Sequence, residues 1–182
     1  MATFTAFSER TQIASGDLDT IIPRLKERYD IAPQETALIF DDLSGKQIDF
    51  DLRGTPEEAL ERAKLQIEPP AKAGRPKLGV VPREVTLLPR HWDWLEAQPS
   101  GASAALRRLI DEARKREGDQ FEARQAADVC CRVLGSLAGD LPGYEEATRA
   151  LYARDRVGFV QQTSDWPTDI RAYALRLASP AL

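Results

Sequence analysis

The side chains of this chain best suited to chemistry are basic, and they gather in its middle. Lys72, Arg75 and Lys77 lie within a run rich in proline and glycine, and Arg83, Thr86, Ser103 and Arg107 follow shortly after. Guanidinium and ammonium groups neutralise phosphates, and a hydroxyl at a helix start hydrogen-bonds to them. This set therefore points to the backbone of duplex DNA. Val85, Leu87, Trp92 and Trp94 are interleaved with it and are candidates for a pairing or interaction surface.

Other reactive types are placed less productively. His91 is the single histidine, which excludes a histidine-based metal cluster and a histidine-containing triad. Cys130 and Cys131 are adjacent, a spacing that strains a disulfide, and they sit in an Ala/Val/Leu helical pattern. Buried thiols in a reducing compartment are expected, with a soft-metal or redox pair as the alternative. Asp41, Asp42, Asp49 and Asp51 could gather a divalent cation or simply solvate a hairpin, and their spacing is not that of a calcium loop. The segment SGASAAL lacks the Gly-Lys-Ser/Thr ending of a phosphate loop. Trp92, Trp94 and Trp166 could form a recognition patch or serve as core anchors. No nucleophile has an arguable base, so the expectation is a non-enzyme with no metal, no cofactor and no small-molecule substrate.

The elements that position these residues follow from composition and periodicity. The 182 residues are 42% hydrophobic and 30% charged, with a net charge of −4, as in an ordinary globular protein. Any DNA contact would use a local basic patch against an unfavourable overall field. No basic and apolar leader opens the chain and no run reaches the ~20 apolar residues of a membrane span. A cytoplasmic protein without membrane association is expected.

The expected fold class is α+β. A strand over Thr3–Phe7 precedes a helix marked by Leu18, Ile21, Ile22, Leu25 and Tyr29, with Pro23 delaying or bending its start. Ala37–Asp41 reads as a buried strand and Gln47–Arg53 as its hairpin partner, because Ile48, Phe50 and Leu52 alternate with Asp49, Asp51 and Arg53. Thr55, Pro56, Glu57 and Glu58 open a helix running to about Gln66. Three units are expected: a small α/β unit over 1–67, a basic Pro/Gly-rich linker over 68–79, and residues 80–182. The last comprises a strand at Glu84–Leu88, a helix from Pro89, a turn at Gly101, a helix from Ser103, and C-terminal helices. Those helices show apolar stripes at Ala126, Cys130, Val133, Leu134 and Leu137, at Tyr144, Ala147 and Leu151, and at Ile170, Tyr173, Ala174 and Leu177.

Over about forty residues this strand, helix, turn and helix resemble the ribbon-helix-helix DNA-binding proteins. The resemblance implies an intertwined dimer, a ribbon in the major groove, and a second helix whose start clamps a phosphate. Two registers are open. With Leu88-Pro89 closing the ribbon, Arg83, Val85 and Leu87 face the groove. Slipped by one, Val85 and Leu87 turn inward and Glu84, Thr86 and Leu88 face out, which sets Glu84 against a polyanion. Neither register is rich in base-reading side chains. Gly74-Arg75-Pro76, with Lys72 and Lys77 beside it, also resembles the minor-groove core of an AT-hook. Over nearly its whole length the chain is similar to a bacterial family known as domain of unknown function 2239. The segments that carry this likeness are IFDDLSGKQIDFDLRG (Ile39 to Gly54), GRPKLGVVPREVTLLPRHWDWL (Gly74 to Leu95) and WPTDIRAYALRL (Trp166 to Leu177). The function expected is a DNA-associated, dimeric regulator with a basic arm; the alternative is a protein-interaction or assembly module without nucleic-acid binding.

Overall fold

A computed structural model describes residues 2–67 and 83–182. Its contacts divide the chain into two units, a first made of Met1–Pro70 with Glu122–Leu182 and a central one of Ala71–Phe121. The sequence pattern grouped residues 80–182 together, whereas in the structure residues from Glu122 onward pack with the N-terminal sheet.

That sheet has three antiparallel strands in the order β2-β1-β3, with β1 at Phe4–Ser8, β2 at Thr11–Gly16 and β3 at Ala37–Asp41. All five residues of β1 are buried, because both faces of the sheet are covered. The side-chain alternation of a strand assigns Phe4 and Ala6 to one face and Thr5 and Phe7 to the other. Phe4, Ala6 and Ile39 join a core with Ile21, Ile22 and Leu25 of α1 (Leu18–Ile31) and Ala59 and Ala63 of α2 (Pro56–Ile67). Phe7 and Phe40 join a second core built by the C-terminal helices.

Local chemistry accounts for the helix starts. Asp17 caps α1 by accepting from the Thr20 amide at 2.9 Å, and Pro23 lies inside the helix without delaying it. Proline there forfeits one intrahelical bond, and burial of Ile21, Ile22 and Leu25 outweighs that loss. Thr55 and Glu58 form a reciprocal capping box at the start of α2, each side chain accepting from the other's amide at 3.3 and 2.9 Å.

The expected second hairpin is not a ladder. Residues 47–53 make a single bridge, Phe40 to Gln47, although Ile48, Phe50 and Leu52 still pack on the core. Helix α2 holds the segment instead, through carbonyls of the parity that does not face β3. Arg62 bonds the Asp51 and Arg53 oxygens, and Gln66 bonds the Asp49 oxygen at 3.1 Å. A strand absent from the expectation, β2, pairs with β1 through a tight turn in which Glu9 has a φ of 52°.

In the central unit α3 spans Pro89–Glu96. The next helix, α4, is assigned over Ala102–Leu137 and leaves helical geometry at Gly118, with φ 40° and ψ −129°. Helices α5 (Tyr144–Tyr152), α6 (Arg156–Gln162) and α7 (Thr168–Ala178) complete the first unit. Ala127, Cys130, Val133, Leu134 and Leu137 of α4 meet Ile170, Tyr173, Ala174 and Leu177 of α7 in the second core. Trp166 is buried there as an anchor, its indole N–H donating to the Pro142 oxygen at 2.8 Å. No helix among the described residues is long and apolar enough to cross a membrane.

One polar cluster joins the sheet to α7. The Asp42 carboxylate, 8% exposed, accepts from Thr5 Oγ1 at 2.8 Å, from the Tyr173 hydroxyl at 2.9 Å and from Arg176 at 3.1 Å. Arg176 also donates to Thr5 Oγ1 at 2.9 Å and lies over the Tyr173 ring, 4.9 Å from its centroid. Burial, reinforced by Asp42, drives the Tyr173 phenol well above its ordinary range, so it acts as a donor at any ordinary pH.

Tyr173→Phe is expected to lower unfolding free energy by about 1 kcal/mol and Tyr173→Ala by about 3–5 kcal/mol, read by urea titration. Stability also depends on acid groups held below their usual range, Asp17 by the Thr20 hydrogen bonds and Glu35 chiefly by Arg28, then Ser8. A carboxyl depressed in the folded state stabilises it above the unfolded value and loses that contribution as pH falls through the folded one. The melting temperature should therefore hold from neutrality to about pH 4.5 and decline below it.

Candidate functional site

The central unit gathers most of the residues singled out by sequence. Leu88 is the N-cap of α3, with extended backbone at φ −68° and ψ 150°, and Pro89 takes the first helical position, where its missing N–H costs nothing. The turn into α4 is closed by Gly101, whose φ of 74° suits glycine, and the Ala105 amide donates back to the Gly101 oxygen at 3.0 Å. The two helices then bury Leu95 and Ala105. Leu87, His91, Trp94, Leu95, Leu106 and Leu109 line an apolar pocket of about 270 Å³.

The expected strand at Glu84–Leu88 is corrected: residues 83–88 carry no regular secondary structure. A strand exists only as part of a ladder, and no described segment of the chain pairs with this one. Leu87 is partly buried and lines the pocket, while Arg83, Glu84, Val85, Thr86 and Leu88 are exposed. Val85 and Leu87, which each register places on one face, are thus separated, and neither register is realised.

What remains uncovered is apolar. Val85, Leu88, Trp92, Trp94, Leu109 and Ile110 are each between 36% and 56% exposed. Arg83, Thr86, Ser103 and Arg107 are exposed as well, with Arg107 Nε donating to the Ser103 oxygen at 3.2 Å. The first turn of α4 has no acidic side chain to compete with an anion at its start. Lys72, Arg75 and Lys77 lie outside the described residues.

The remaining candidates disperse. Trp166 belongs to the core of the first unit, so it forms no patch with Trp92 and Trp94. Asp41 caps its own turn through the Leu43 amide and Ser44 hydroxyl, Asp42 serves the buried cluster, and Asp51 is held far below the usual carboxylate range by Arg53, with Arg62 beside it. Among the described residues no three His, Cys, Asp or Glu side chains are grouped to hold a metal ion. Burial pushes the Cys130 thiol up to about 12, and Cys131 is only partly buried.

Sequence reasoning missed a groove of about 760 Å³ in the first unit, between the turn after β3, the second half of α4 and α7. Asp42, Ser44, Arg132 and Arg176 line it, with Val129 and Leu177 among its apolar walls. These residues come from three distant stretches of sequence, and no local spacing could have joined them.

No curated protein and no solved structure matches the chain. A family described as "Uncharacterized protein conserved in bacteria (DUF2239)" matches residues 3–178. The likeness seen in the Ile39–Gly54, Gly74–Leu95 and Trp166–Leu177 segments thus extends across both units, and the chain belongs to the DUF2239 family.

Proposed function

We propose that this protein is a non-enzymatic assembly factor that self-associates as a homodimer through its central unit. The observation that carries this reading is the exposure of Val85, Leu88, Trp92, Trp94, Leu109 and Ile110 in a unit whose described residues bury only two apolar side chains, Leu95 and Ala105. So small a core does not hold a unit of this size together, and covering the face supplies what is missing. Six such side chains offer an area on the order of the ~800 Å² per partner that a stable interface buries.

A second copy fits the charge pattern. Residues 83–121 carry seven Lys and Arg against seven Asp and Glu, so two copies meet without net repulsion. Along α4 the signs alternate in blocks, Arg107 and Arg108, then Asp111 and Glu112, then Arg114 to Arg116. An antiparallel copy of the helix can set Asp111 and Glu112 against Arg114 and Lys115 of its partner. Segment 83–88, which pairs with no other described residues, would then gain a partner strand.

A DNA-associated role is the second reading, and charge segregation favours it. Residues 71–121 carry ten Lys and Arg against seven Asp and Glu, whereas the whole chain carries 25 against 29. With Leu87 turned toward the helices, base reading by the segment is weak. Contacts would fall to phosphates and a minor groove, through Lys72, Arg75, Lys77, Arg83, Thr86, Ser103 and Arg107.

Trp94→Ser combined with Ile110→Ser should convert a dimer to a monomer on size exclusion while the far-ultraviolet circular dichroism keeps its helical form. An unchanged elution volume for the double variant would count against the interface. For the second reading, duplex retardation should weaken steeply between ~50 and ~200 mM salt. No retardation at low salt would leave assembly without DNA.

A further inference from the structure

We propose that self-association of the central unit is switched off by mild acid, with His91 as the proton-sensing group. This regulation rests on the proposed homodimer. His91 is the single histidine of the chain, and it stands in the wall of the apolar pocket with Leu87, Trp94, Leu95, Leu106 and Leu109. Trp94 and Leu109 of that wall are among the exposed side chains that a second copy would cover. Covering them would close the pocket over the imidazole. Histidine is the one side chain whose ordinary titration falls between about pH 5 and 8. A neutral ring suits an apolar pocket, whereas a protonated one loses its water there and has to be paired.

The groups around His91 offer a proton no partner. Its Nε2 accepts from Arg90 Nε at 3.5 Å, so a proton on that nitrogen would end the contact and set two cations side by side. On α3, Asp93 and Glu96 stand two and five residues on, about 160° and 140° around the helix from His91. Helix α4 contributes Leu106 and Leu109 to the pocket. Its neighbouring charges are engaged elsewhere, Arg107 on the Ser103 oxygen at 3.2 Å and Arg108 with Glu112 at 3.5 Å, while Asp111 is about 160° around from Leu109. Segment 83–88 contributes Leu87, with Arg83 and Glu84 outside the lining, and no carboxylate lines the pocket. In the antiparallel pairing the second copy's acids are set against Arg114 and Lys115. The dimer therefore holds fewer protons than two separate chains, and its dissociation constant rises as pH falls.

The test is sedimentation equilibrium of the full chain at pH ~7.5 and at pH ~5.5, on either side of the histidine range. The dissociation constant of the dimer is expected to rise about tenfold or more at the lower pH, since one proton is excluded per copy. His91→Gln and His91→Phe cannot take that proton. In both, the ratio of the two constants should fall to about one, whatever the constant at neutral pH. The helical circular dichroism is expected to persist at the lower pH, and its loss together with the dimer overturns the switch. A dimer equally tight at both pH values, or tighter in acid, overturns the switch and leaves the homodimer standing. A full acid response in both variants does the same. The mass of one chain at the higher pH, at every concentration, removes the homodimer and the switch with it.

Discussion

A carboxylate almost closed off from water must be hydrogen-bonded, and two of the three side chains that donate to Asp42 reach it only when α7 is docked on the sheet. It lies just past the end of β3, accepts from Thr5 on β1, and receives Tyr173 and Arg176 from a helix more than a hundred residues later. Phe7 and Phe40 make the apolar part of the same contact by packing on Tyr173. The three-stranded sheet is thus one half of an interface whose other half is supplied by the end of the chain. One face of the sheet is covered by α1 and α2 and the other by the C-terminal helices, which explains why the first unit is discontinuous in sequence.

The central unit is the opposite case. Its two helices are well started, by Pro89 and by the Gly101 turn, yet they bury little between them. The first unit builds two apolar cores while leaving Ile31, Leu43 and Val157 exposed, whereas the central one buries only Leu95 and Ala105 among its described residues and presents Trp92, Trp94 and Ile110 to water. Short helices draw most of their stability from packing, and in the proposed dimer a second copy would supply the surface on which these two pack.

Legibility in the sequence followed the range of the interaction. Helices with a local start signal, such as Thr55-Pro56 and Pro89, were readable from a few residues, as was the burial of Ile48, Phe50 and Leu52. The ladder expected beneath that alternation stops at the Phe40–Gln47 bridge, and Arg62 and Gln66 of α2 hold the segment instead, tertiary contacts invisible to periodicity. Strand β2 escaped notice because its turn holds Glu9 at positive φ instead of the glycine or asparagine that marks most tight turns. Helix α6 is short and starts at Asp155, whose side chain caps the Gly158 amide at 2.9 Å. Val85, Trp92 and Trp94 were picked out by residue type as interaction candidates, and the structure adds that all three are exposed. Which way Leu87 turned was settled only by its packing, and the arginine groove only by tertiary contact.

The account stands or falls on whether the apolar face of the central unit is covered by a second copy. Sedimentation equilibrium of the unmodified chain over a hundredfold range of concentration measures this without probes or substitutions. The account predicts a mass that rises toward twice that of the chain as concentration increases and stays there. A mass equal to that of one chain at every concentration would contradict it.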